Sequence, residues 1–218
     1  MASIKTTTPI LGSRFYHIFN RGINRYPIFF TEANYVYFLN LVQKYLVGYM
    51  DILAYVLLHN HFHLIVKVKD ELEIKNLNKK TQSVSNQPIQ TKTIKVTDEE
   101  EIGKMVSKQL RRFFTAYAMA INKQENRVGS LFDPKFKRLE ITTQDYLEYV
   151  IFYVHYNPEK HGYINNFKNY RYSSYKATAG YGKTKIDRKF VLEIFGGKDE
   201  FINYHSVVHE ERTDVILE

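Results

Sequence analysis

The chain has 218 residues, a length that suits one domain with an extension and is short for two. Its residues are 44% hydrophobic, with 18 Tyr and 15 Phe, which is enough for a packed core and excludes wholesale disorder. Lys and Arg number 31 against 23 Asp and Glu, so the +8 surplus favours a polyanionic partner, and the absence of cysteine removes disulfides, thiolate metal sites and thiol nucleophiles.

Residues 1–13 read as a leader, and Arg14–Asn20 alternates apolar and polar residues as a short strand does. Thr31 is placed to cap a helix from Glu32 to about Val47, with Tyr35, Phe38, Leu39, Val42, Tyr45 and Leu46 on its apolar side. Ile52–Leu58 and His61–Val68 are β-rich runs parted only by His59-Asn60, which predicts a tight hairpin. From Asp70 to Val96 the composition turns to Lys, Asn, Gln, Thr and Ser, predicting a mobile loop. A long helix follows from about Asp98 to Asn122, with Val106, Leu110, Phe113, Phe114, Tyr117 and Ile121 on one face and Lys104, Lys108, Arg111 and Arg112 opposite.

Leu131–Thr142 predicts a fourth strand, and Pro134 makes it an edge strand or a bulged one. Thr142 or Thr143 then caps a helix that Asn157-Pro158 is expected to end, since the residue before proline is pushed out of α geometry. Short helices are expected near Arg188–Phe195 and Asp199–His209. The order strand, helix, strand, strand, helix, strand is the ferredoxin-like βαββαβ arrangement, so the fold class is α+β with an antiparallel sheet, one further helix and a helical tail. The expected division is a domain over 14–165 with a flexible insertion at 70–96, then a helical extension over 166–218 packed on or near it. The longest purely apolar run, Tyr149–Val154, is far below a membrane span and the N-terminal residues lack an apolar signal core, so the expectation is a soluble, cytoplasmic protein with no membrane partner.

Two imidazoles two positions apart on a strand, His61 and His63, project from one face and can share a cation. The same spacing describes two histidines on a solvated strand face, and His59, on the same parity, is a third imidazole or a turn residue. Tyr153 and Asn157, four apart, stack on one helix face. A tyrosine can attack a phosphodiester to form a covalent phosphotyrosine, and a neutral amide oxygen can ligate the divalent cation that polarises the phosphate. Tyr146, Tyr149 and Tyr156 read as amphipathic or core aromatics, as Tyr153 itself would without Asn157. Lys104, Lys108, Arg111 and Arg112, with Arg127, Lys135, Lys137 and Arg138, offer phosphate contacts, and the tyrosines offer stacking surfaces for unpaired bases. The helix stripe alone is also what a solvated charged face looks like.

Five segments occur in one order: Asn20-Arg21-Gly22; Asn60-His61-Phe62-His63-Leu64-Ile65; Gly129-Ser130-Leu131-Phe132 with Phe136-Lys137-Arg138; Tyr153-Val154-His155-Tyr156-Asn157-Pro158 with Lys160-His161-Gly162; and Tyr172-Ser173-Ser174-Tyr175. Together they span most of residues 14–205 and resemble the single-tyrosine HUH transposases, in particular the REP-associated tyrosine transposases. The resemblance implies a catalytic domain that nicks and rejoins single-stranded DNA at hairpin-associated sites through a 5′-phosphotyrosine. It implies Tyr153 as nucleophile, His61, His63 and Asn157 as ligands of Mg²⁺ or Mn²⁺, single-stranded or hairpin DNA as partner, and Arg21 among the DNA-binding residues. Many members carry proline where this chain has His59, and the polar loop at 70–96 is a second departure. Two other readings share the sheet: a non-catalytic single-stranded nucleic-acid binder, and a HUH replication or mobilisation initiator. A monomer and a homodimer both fit.

Overall fold

The computed structural model describes residues 8–70, 74, 99–134 and 136–211. Four strands, β1 (Phe15–Arg21), β2 (Met50–Leu58), β3 (His61–Val68) and β4 (Lys137–Ile141), form one antiparallel sheet in the order β2-β3-β1-β4. The helices are α1 (Glu32–Tyr45), α2 (Glu99–Gln124), α3 (Gln144–Lys160), α4 (Tyr175–Ala179), α5 (Arg188–Ile194) and α6 (Lys198–Glu211). This is the expected ferredoxin-like α+β order, with β3 inserted between β1 and β2 and β4 at the edge after Pro134.

Strand parity divides the interior in two. Tyr16, Ile18, Phe62, Leu64, Val66 and Val68 meet Phe38, Leu41 and Val42 of α1 and Val106, Leu110, Phe113, Tyr117 and Ile121 of α2. On the other face Val56, Leu58 and Ile65 meet α3 through Val150, Ile151 and Val154, and α3 meets the C-terminal helices through Phe152, Val191 and Phe201. A sheet apolar on both faces must be covered on both, which is why the helices after β4 are part of the packing.

Two local devices position the site. Asn34 Oδ1 accepts from the backbone N–H of Phe30 (2.9 Å) and Thr31 (3.0 Å), closing the start of α1. The outer edge of β2 is sealed by the C-terminal segment, where Leu57 N–H donates to Tyr172 O and Ser174 N–H to Tyr55 O, both at 2.9 Å.

The structure corrects one expectation and answers another. Helix α3 does not stop at Asn157-Pro158 but runs through Pro158 to Lys160, with His161 N–H donating to Asn157 O at 3.0 Å. Proline removes one N–H from the ladder, but the backbone on either side stays helical, so Asn157 sits within the last full turn and not at its end. His59 is a turn residue: its side chain is exposed, and its carbonyl accepts from Ile28 N–H at 2.9 Å and Phe29 N–H at 3.1 Å. The polar stretch from Asp70 to Val96 lies, Asp70 and Ile74 apart, outside the described residues, as does Lys135. Ile74 itself is buried in the α1/α2 core.

Candidate functional site

The parity of β3 that sends Phe62 and Leu64 to one core turns His61 and His63 toward α3. Across the ladder Phe19 stands opposite His63, His17 opposite Ile65, and Lys137 on β4 opposite Phe19. A polar patch therefore interrupts the apolar α3-facing surface. His17 Nε2 is 2.8 Å from His63 Nδ1, and Phe19 stacks on both rings with centroids 4.6 and 5.5 Å away. Burial pushes His17 down to about 3 and His63 well below the usual histidine range, the latter further lowered by neighbouring His17, His61, His161 and Lys160. Both rings are neutral near pH 7, and the neutral imidazole is the form that ligates a cation.

His61 Nδ1 lies 2.7 Å from Asn60 Oδ1, while the Asn60 amide N–H donates to Arg25 O at 3.2 Å. That second bond fixes which end of the amide faces the imidazole, so Nδ1 of His61 carries a hydrogen toward Asn60 Oδ1, and its Nε2 is buried. The two imidazoles meet edge to face with centroids 5.3 Å apart, and His161 approaches His61 at 5.0 Å.

Helix α3 starts where Thr143 Oγ1 accepts from Tyr146 N–H at 3.3 Å, which sets its phase over the sheet. The Tyr153 ring stands edge-on to His63 with centroids 6.2 Å apart. One turn on, fully buried Asn157 donates from Nδ2 to Tyr153 O at 3.0 Å. The donor end of the amide is thereby occupied, and Asn157 Oδ1 and His63 Nε2 are both buried with no hydrogen-bond partner from the protein. A buried acceptor left without a donor costs about 1–3 kcal/mol, so each is a position that a water or an added ligand can satisfy. An imidazole nitrogen and an amide oxygen are a donor set that fits Mg²⁺ or Mn²⁺ with further positions for water and phosphate. Among the described residues no group of three or more His, Asp or Glu side chains is arranged to hold an ion.

Lys160 Nζ lies over the Tyr153 ring, 4.9 Å from its centroid and 3.5 Å from its hydroxyl. Beside the histidines opens a cavity of about 340 Å³ whose wall includes Phe19, Arg21, Arg25, His61, His63, Lys137, His161 and Tyr163. Tyr153 is 2% exposed and is not in that wall. A second groove of about 520 Å³ shares Asn20 and Asp133 with the first and carries Arg111, Phe114, Phe136 and Arg138.

The expected DNA-binding residues thus separate. Arg21, ion-paired to Asp133 at 2.7 Å, and Lys137 line the first cavity, and Arg111 and Arg138 line the second. Lys108 and Arg112 are exposed on α2 away from both, and Arg127 is half-buried with Nη1 enclosed. Sequence reasoning missed His17, Arg25 and Tyr163. Arg25 reaches the cavity from a turn in which both Asn24 (φ 53°) and Arg25 (φ 61°) are left-handed, a conformation that non-glycine residues seldom adopt.

No protein-family model matches the chain, and no curated protein matches it. Among solved structures, a REP-associated tyrosine transposase bound to a REP hairpin superposes with a TM-score of 0.48 at 14% identity, covering 86% of this chain and 94% of that one. A likeness at that level carries no residue's role across.

Proposed function

We propose that the protein is a metal-dependent single-stranded DNA nicking and strand-transfer enzyme of the HUH type, with Tyr153 as nucleophile. The observation that supports this reading is that His63 on β3 faces the Tyr153 ring on α3 with centroids 6.2 Å apart, with His61 beside His63 and Asn157 one turn on from Tyr153, while His63 Nε2 and Asn157 Oδ1 are each buried acceptors without a protein donor. His61, His63 and Asn157 would hold Mg²⁺ or Mn²⁺, which when bound supplies Lewis-acid polarisation of a phosphodiester oxygen. In the reaction the Tyr153 oxygen bonds to phosphorus as the P–O3′ bond breaks. The 5′-phosphate stays on tyrosine, the phenolic proton passes to solvent, and the departing 3′-oxygen takes a proton from solvent to leave as a hydroxyl. Lys160, 3.5 Å from the phenol, favours negative charge as it develops on that oxygen. Arg21, Arg25 and Lys137 give the cavity the positive wall that a phosphodiester backbone requires.

Metal dependence, strand transfer and DNA hairpins as the preferred substrate all belong to this proposal. A second reading, a non-catalytic single-stranded nucleic-acid binder on the same sheet, is favoured by one observation: Tyr153 is 2% exposed, so a phosphate reaches its hydroxyl only if α3 or Lys160 moves. Incubation with 5′-labelled hairpin oligonucleotides and Mn²⁺ separates the two. The enzyme reading expects discrete cleavage products that vanish with chelator, and the binder reading expects retention of intact DNA with or without metal.

A further inference from the structure

His17 stands two residues before Phe19 on β1, on the sheet face that carries His63 and diagonal to it across the ladder. A contact of 2.8 Å between His17 Nε2 and His63 Nδ1 holds one hydrogen, so one ring donates and the other accepts. The choice decides what His63 can do. With the hydrogen on Nδ1, its lone pair is on Nε2, the buried nitrogen with no protein partner. With the hydrogen on Nε2, that nitrogen cannot take a cation and becomes a buried donor without an acceptor. His63 lines a cavity whose other walls carry Arg25, Lys137 and the ion pair of Arg21 with Asp133, a lining with a positive surplus toward which a lone pair is favoured over an N–H. Phe19, stacked on both rings, restricts their rotation.

We infer that His17 is a positioning residue that accepts the Nδ1 hydrogen of His63 and so turns the His63 Nε2 lone pair to the site. In this role an imidazole stands where a carboxylate or backbone carbonyl more commonly orients a ligating histidine. What the lone pair is for rests on the metal reading proposed above, whereas the tautomer does not.

Long-range ¹H–¹⁵N correlation spectra of the histidine-labelled, metal-free wild-type chain near pH 7 read the tautomer directly, and His63 is expected as Nδ1–H. Mn²⁺ titration by calorimetry then compares wild type with His17→Leu, which has no acceptor, and His17→Gln, whose side-chain oxygen reaches the place of Nε2. Affinity should fall roughly 10- to 100-fold in His17→Leu and be restored to within about threefold of wild type in His17→Gln, with melting curves confirming that both variants fold. His63 found as Nε2–H, or His17→Leu binding Mn²⁺ as wild type does, overturns the inference. Wild type that binds no Mn²⁺ while His63 is Nδ1–H overturns the metal reading and upholds the positioning role of His17. The spectrum needs no variant, so a His17→Leu chain that fails to fold does not remove the test.

Discussion

Acidification should destabilise this protein well above the pH at which its carboxylates titrate, because its buried histidines disfavour a second proton. His205 Nδ1–H donates to Phe201 O at 2.8 Å, so its Nε2 accepts from His155 Nδ1–H at 2.9 Å, and His155 Nε2 faces the Ser174 hydroxyl at 2.8 Å. Protonating His205 would put a positive charge inside a fully buried cluster that ties α6 to α3. Burial lowers His205 to about 3, with nearby Lys168 adding to the effect and the bond to Phe201 opposing it, and burial lowers His155 well below its ordinary value. The unfolded chain binds the proton near pH 6.5 and the folded chain only near 3, so stability is fully present above about 6.5 and is lost as pH falls toward 3. At about 1.4 kcal/mol per pH unit, moving from pH 7 to pH 5 removes about 2 kcal/mol through His205, and His17, also near 3, adds a loss of the same sign. Urea unfolding at pH 7.0, 6.0 and 5.0 should show the decline, and His205→Gln, which keeps a hydrogen-bonding side chain but cannot titrate, should flatten it by roughly a quarter, its share beside His17, His63 and His155. A stability that is flat or rises between pH 7 and 5 would refute the reasoning.

Replacing Asn157 with Leu removes a buried acceptor that has no protein partner, so thermal melting of the metal-free chain should show no loss of stability, or a gain of up to about 1–2 kcal/mol, while DNA cleavage disappears. If Arg21, Arg25, Lys137 and Arg111 each neutralise one phosphate, the single-strand slope of log K against log salt is about −3, and affinity measured by fluorescence anisotropy should fall roughly 50-fold between 50 and 200 mM salt. Arg25→Ala should make that slope shallower by about 0.7. Gly22→Ala would place a Cβ 2.0 Å from Tyr26 O in the turn that presents Arg25, and denaturant unfolding should register a loss of at least about 1–3 kcal/mol.

The parts of this molecule written in short-range periodicity were legible in the sequence. Alternation along His61–Val68 put both histidines on one face, and the i+4 spacing of Tyr153 and Asn157 put them together on α3, because those relations need only the pitch of a strand or helix. What pairs with what across the sheet was not. His17 lies 46 positions from His63 and touches it only through the β1–β3 register, and nothing in Arg14–Asn20 marks that histidine as different from a solvated one. Arg25 was hidden for another reason, since two successive left-handed residues without glycine leave no compositional signal. Pro158 misled because its bias against a preceding helical residue is weaker than the packing of Val150, Ile151 and Val154 on the sheet. The sealing of β2 by Tyr172 and Ser174 was likewise outside local pattern, being a contact made more than 110 residues along the chain.

Peptide mapping by mass spectrometry of the covalent protein–DNA adduct tests the central claim most directly. With Mn²⁺ and a hairpin-bearing single strand, the wild-type chain should yield one tyrosine-linked 5′-phosphate, located on Tyr153, and Tyr153→Phe should bind the same DNA with unchanged affinity and form no adduct. A phosphate mapped to Tyr149 or Tyr156, or an adduct that persists in Tyr153→Phe, would contradict the assignment of the nucleophile. Intact DNA retained by the wild type with no adduct under any divalent metal would contradict the enzyme itself.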